Sequence, residues 1–153
     1  MFSTEESIEA YRAGVLKAIL DHLKPFEDVL AAWEGGSIAT NTKDQFSDID
    51  LCFLANNKNL NEVLNRVEQS LVKLHIEHKW QAQKSVWGEG MMQRVFILKD
   101  SPKYFLVDVA IFDIEHAQLL KDFLEFERHG QPVIHFDKSA YIQVGHTDAM
   151  ALF

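Results

Sequence analysis

Apolar residues along this chain either recur every three or four positions or gather in short, nearly continuous runs. From residue 4 to 24, Ile8, Tyr11, Val15, Ile19 and Leu23, with Leu16 and Leu20 beside them, mark one helical face. Ser3 or Thr4, with glutamates following, suits the start of that helix, and Pro25 its end. VLAAWE, residues 29–34, predicts a first strand, broken by Gly35 and Gly36. A polar loop leads to a second strand, DIDLCFLA, at 48–55. Leu60, Val63, Leu64, Val67, Leu71 and Leu74 then define a second amphipathic helix, with Asn57 or Asn59 as its cap. Residues 76–87 alternate loosely as a strand ending near Gly88, and 92–99 and 103–112 read as two more, joined by Asp100-Ser101-Pro102. A last helix is expected over 115–128, stopped by Gly130 and Pro132, before an extended PVIHF. The order α-β-(α)-β-α-β-β-β-α predicts an α/β or α+β fold, a mixed β-sheet with flanking helices.

Composition narrows the class. At 153 residues the expectation is one domain, 1–153, large enough for a real core. No run approaches the roughly 18 apolar residues of a membrane span, and the polar, acidic start MFSTEESIEA is unlike a secretory signal. Cys52 is the only cysteine, which excludes an internal disulfide and a thiolate metal cluster and suits a cytoplasmic protein. The formal charge of −8 disfavours a groove for a long nucleic acid. A small phosphorylated ligand is still compatible with that charge, because metal ions can hold it.

The acidic residues inside strands carry the chemistry. Alternate strand residues share a face, so Asp48 and Asp50 point one way while Ile49 and Leu51 point the other. Two carboxylates this close resist joint ionisation unless a cation sits between them. Oxygen-only ligands favour magnesium or manganese over zinc. Asp108, alone among the β-formers of YFLVDVAIF, is a third candidate, and it converges on the pair if strands 48–55 and 103–112 are neighbours. Three carboxylates can hold two metal ions for an in-line phosphoryl displacement. Gly35-Gly36-Ser37 offers the complementary half: backbone that a phosphate can approach closely, and a hydroxyl donor.

Taken singly, each of these features is more often a loop or a surface charge. Together, GGS, nine intervening residues and then SDIDL resemble the signature of the nucleotidyltransferase superfamily related to DNA polymerase beta. The spacing is similar to that of small bacterial members, among them antibiotic adenylyltransferases and the minimal nucleotidyltransferases of toxin–antitoxin pairs. VDVAIF resembles the strand bearing that family's third carboxylate, and the resemblance covers about residues 28 to 113. It implies a nucleotidyltransferase-like fold, with Asp48, Asp50 and Asp108 as catalytic residues binding two Mg2+ or Mn2+ ions. Gly35, Gly36, Ser37 and Ser47 would bind a nucleoside triphosphate. The implied reaction moves a nucleoside monophosphate, AMP from ATP, to a hydroxyl on a small molecule such as an aminoglycoside-like antibiotic, with Asp108 helping to deprotonate it. Two alternatives stand beside it: an AMPylating antitoxin-type module acting on a partner protein, and a non-catalytic nucleotide-binding relic. A homodimer is left open.

The chain departs from the family pattern in places. Many relatives carry Ala-Arg-Gly after the Gly-Ser, where this chain has Ile38-Ala39-Thr40-Asn41. Asn41 tolerates a left-handed backbone, and the missing arginine's phosphate contact would fall to Lys43, Lys84 or Arg94. GQPVIHFDKSAYI resembles the segment that closes the core in longer relatives, which usually continue into a helical domain shaping the acceptor pocket. The seven histidines show no metal-ligand spacing. Trp80 and Trp87 suit either stacking on a ring or rim packing, and Met91-Met92 after Gly88-Glu89-Gly90 suits either a loop over the site or a turn. Cys52 reads as a small buried hydrophobe.

Overall fold

Helix α1 (Glu5–Leu23) starts at a reciprocal cap: the Ser7 N–H donates to Thr4 Oγ1 at 3.1 Å, and the Thr4 N–H to Ser7 Oγ at 3.4 Å. Its buried stripe is Ile8, Val15, Leu16, Ile19 and Leu23, with Arg12 set among them. The computed structural model describes residues 4–35, 48–81, 89–124 and 131–145. Within them the further helices and strands are β1 (Val29–Glu34), β2 (Ile49–Ala55), α2 (Leu60–Ser70, followed by a 3-10 turn at Val72–Leu74), β3 (Ile76–Gln81), β4 (Met91–Leu98), β5 (Val107–Asp113), α3 (Ala117–Phe123) and β6 (Val133–Asp137). Asn59 caps α2 by accepting from the Glu62 N–H at 3.3 Å.

Six strands form one mixed sheet in the order β3-β4-β5-β2-β1-β6. β2 and β5 run parallel at its centre, and the other neighbours are antiparallel. This is the mixed sheet with flanking helices that the pattern predicts. One face packs Ile49, Leu51, Phe53, Val107, Val109 and Ile111 under α1 and α2. The other face packs Trp33, Cys52, Leu54, Ala110 and Phe112 against Leu120 and Leu124 at the end of α3. No helix among the described residues is long and apolar enough to cross a membrane.

Some boundaries differ from the sequence expectation. β5 starts at Val107 rather than 103. Residues 103–106 turn instead: Tyr104 has φ +65°, the Phe105 N–H donates to the Pro102 carbonyl at 3.1 Å, and the Phe105 ring meets Tyr11 edge-on. α3 is preceded by a 3-10 turn, Ile114–His116, and residues 125–130 lie outside the described part. Met91 begins β4 as a buried core residue, so it forms no loop over the site. The turn before it needs a glycine. Gly90 has φ +90°, and a Cβ there would lie 2.3 Å from the His116 ring carbon Cγ.

Candidate active site

β2 and β5 share one burial pattern. In each, the second residue is half-buried and the other six are buried, and that second residue is Asp50 in β2 and Asp108 in β5. The parallel register sets these two aspartates directly opposite each other. The apolar residues on either side of them face the α1–α2 layer, so both carboxylates are forced onto the opposite face. Asp48 lies just before β2 and is also half-buried.

The electrostatics of the three differ. Burial first, then the charges of Asp108, Glu34 and Asp48, push the Asp50 carboxyl up from an ordinary 3.8 to about 6. Asp108 is raised by burial and by Asp48, against a lowering bond from Gln93, whose Nε2 donates to Asp108 Oδ1 at 2.7 Å. Asp48 Oδ1 accepts the Leu106 N–H at 2.9 Å. Asp48 and Asp108 thus each turn toward a donor of their own. Among the described residues, no three His, Cys, Asp or Glu side chains close into a ligand cage. The donor set still fits a hard divalent cation: two carboxylates paired on adjoining strands and a third just before one of them, oxygen donors only, and a proton affinity at Asp50 raised by burial and then by the neighbouring acids.

Gly35 directly follows β1 beside this group, and its N–H donates to the Asp50 carbonyl at 3.0 Å. Among the described residues, a Cβ at Gly35 would meet nothing within 4 Å. Gly36, Ser37 and Ser47 lie outside the described residues, as do Lys43, Lys84 and Trp87. Arg94 does not serve the acids. It lies opposite Val109 on the helix-covered face, where its guanidinium donates to Gln81, Asn65, Glu68 and Asn61 at 2.7–3.0 Å. Alternation along an antiparallel strand makes the reason plain, since Gln93 and Val95 hold the acid-bearing face and Arg94 the other.

Two features were not anticipated from sequence. Gln93 is one. The other is a buried cluster in which Arg12 pairs with Glu34 and His135 Nε2 meets the second Glu34 oxygen at 2.9 Å. Burial pushes Glu34 up, but the His135 bond and the Arg12 charge outweigh it and hold the carboxyl below its ordinary range. The available signals were single charges in apolar settings: Arg12 four residues after Ile8 on α1, and Glu34 closing VLAAWE. Across the sheet, the pairs Asp50–Asp108, Asp108–Val95 and Val95–Trp80 line up one residue per strand, so Trp80 shares the acid-bearing face. Trp80 is 53% exposed, and its ring stacks on His78 at 6.2 Å.

Residues 15–129, well over half of the chain, match the family model described as a nucleotidyltransferase domain. No protein of curated function matches the sequence. Solved structures similar to it include Cid1 poly(U) polymerase with Mg 3'-dATP bound, at 15% identity and TM-score 0.46 over 71% of this chain and 32% of that one. Cid1 in complex with its short product ApU is similar at 16% identity and TM-score 0.44, over 79% and 34%. A cytoplasmic RNA terminal U-transferase is similar at 15% and 0.46, over 76% and 35%. The chain thus spans about a third of the length of these proteins.

Proposed function

The chain belongs to the nucleotidyltransferase domain family, and from that premise we propose that it moves AMP from ATP to a hydroxyl of a small ring-bearing molecule, such as an aminoglycoside-like antibiotic. The observation that carries this reading is the direct pairing of Asp50 with Asp108 across β2 and β5, with Asp48 adjoining. Asp48, Asp50 and Asp108 would hold magnesium or manganese. Bound there, two such ions would neutralise phosphate charge and polarise the attacking and leaving oxygens. Gly35, Gly36, Ser37 and Ser47 would bind the triphosphate.

In-line displacement sets the direction of attack. With the leaving pyrophosphate on the β1 side, beside Gly35, the acceptor oxygen must approach the α-phosphorus from the opposite side, over β5 and β4. The hydroxyl oxygen bonds to the α-phosphorus as the bond to the bridging oxygen breaks, pyrophosphate leaves, and the hydroxyl proton passes to the Asp108 carboxylate. The raised proton affinity of Asp108 suits it to that role. Farther along the same row, the exposed Trp80–His78 stack is suited to the face of an acceptor ring.

Incubation with magnesium, α-labelled ATP, and a panel of aminoglycosides and lincosamides tests this. The expected result is a labelled small molecule with stoichiometric pyrophosphate. Label on protein would instead favour a protein-modifying module, and ATP binding without transfer a relic. Magnesium-dependent transfer that survives Asp50→Asn would refute the mechanism. Trp80→Ala should raise KM for the acceptor and leave that for ATP unchanged.

A further inference from the structure

α1 carries one charge in its buried stripe, and that charge reaches both ends of segment 36–47. The Arg12 and Glu34 side chains are 7% and 3% exposed. Glu34 is the last residue of β1 and directly precedes Gly35. Arg12 Nη2 pairs with Glu34 Oε1, while Arg12 Nε donates, at a long 3.4 Å, to the carbonyl of Asp48, where the chain re-enters the sheet. The Gly35 N–H closes the same junction on the Asp50 carbonyl at 3.0 Å. His135 of β6 fixes the second Glu34 oxygen at 2.9 Å. Arg12 and His135 both lie outside residues 15–129, the part that matches the family model.

A buried ion pair is a poor device for stability alone, since well-packed apolar residues of similar volume hold a fold equally well. What this one adds is geometry. The guanidinium presents several N–H groups in a rigid fork, so one side chain can engage two elements at once, whereas an ammonium is a point charge on a flexible stem. Glu34 and the Asp48 carbonyl lie on the two chain ends that carry Gly35 and the first aspartate.

We propose that Arg12 is a positioning residue: with Glu34 as its partner and His135 as the brace, it staples the exit of β1 to the entry of β2 and fixes Gly35 relative to the Asp48–Asp50 pair. The proposal rests on the assignment of Gly35 to the triphosphate site. It explains why a charge occupies the centre of an otherwise apolar helix face, and why both partners sit next to functional backbone.

The test compares stability with nucleotide affinity. The double variant Arg12→Met with Glu34→Met removes both charges, keeps comparable volume and leaves no unpaired buried ion. His135, 22% exposed at its side chain, keeps access to water. Its thermal midpoint should stay near that of the wild type, while calorimetric affinity for α,β-methylene-ATP with magnesium falls about tenfold or more. Arg12→Lys keeps the charge pair but not the fork, and should lose affinity severalfold with its midpoint retained. Wild-type affinity in either folded variant overturns the staple and leaves the site assignment standing. A wild-type protein that binds no magnesium nucleotide overturns the site assignment, and the staple with it.

Discussion

Asp50→Asn should make the metal-free protein more stable while abolishing its chemistry. Folding lifts the Asp50 carboxyl from 3.8 to about 6, chiefly by burial and then by Asp108, Glu34 and Asp48. The folded state therefore binds this proton more tightly than the unfolded chain does. The stability contributed by the group is fully present below about pH 3.8 and is lost as pH rises through about 6. At about 1.4 kcal/mol for each pH unit, ionisation costs about 3 kcal/mol. That figure is an upper bound, because Asp50 is only half-buried and water still screens it. Asparagine keeps the shape without the charge. In urea unfolding with a chelator, the variant's advantage should reach up to about 3 kcal/mol at pH 8 and fall to about half of that at pH 5. Magnesium supplies the converse arm: at a hundred times its Kd it should stabilise the wild type by about 2.7 kcal/mol and the variant hardly at all. An Asn variant less stable than wild type at pH 8, or an advantage equal at pH 5 and pH 8, would refute the reasoning.

Three further substitutions probe separate parts of the molecule. Gln93→Leu removes the 2.7 Å donor from Asp108, so its carboxyl should rise further and Mn2+ affinity, read by paramagnetic resonance, should fall about tenfold; an unchanged Kd would exclude the role. Gly90→Ala places a methyl 2.3 Å from His116 Cγ at a φ of +90° and should cost about 2 kcal/mol or more in urea unfolding. Arg94→Met breaks bonds to Gln81, Asn65, Glu68 and Asn61 and should cost about 3 kcal/mol of stability. Because Arg94 lies on the far face, affinity for a magnesium–ATP analogue should not move; a weakened affinity would return it to the nucleotide.

Elements whose apolar residues keep one period were legible in the sequence. α1 and α2 follow from helical spacing, and β2 from its apolar run. β5 misled at its start because Tyr104-Phe105-Leu106 extends its apolar run backwards, although Pro102 and the left-handed Tyr104 hold those residues in a turn. The pairing of Asp50 with Asp108 was legible only as a condition on which strands are neighbours, and the parallel register of β2 and β5 met it. The Arg12–Glu34–His135 cluster was not legible, since its members lie 22 and 101 positions apart and no local period links them. Gln93 and Arg94, adjacent in sequence, serve opposite faces, and only the pairing of β4 with β5 says which serves which.

The same register explains how the sheet tolerates the acids at all. Asp50 and Asp108 repel, and nothing in their own interaction would hold them opposite each other. The holding force comes from their neighbours: Ile49, Leu51, Val107 and Val109 are fully buried under α1 and α2. Burying each such side chain is worth about 1.5–3 kcal/mol, so four of them outweigh an ionisation cost of about 3 kcal/mol at Asp50. Slipping β2 by one residue would relieve the repulsion, but it would drive Asp50 into the helix-packed layer and turn Ile49 and Leu51 out of it. The apolar residues that look least involved in chemistry are therefore the ones that set the carboxylate geometry. Substitutions such as Leu51→Ala should loosen the acid pair as well as the core.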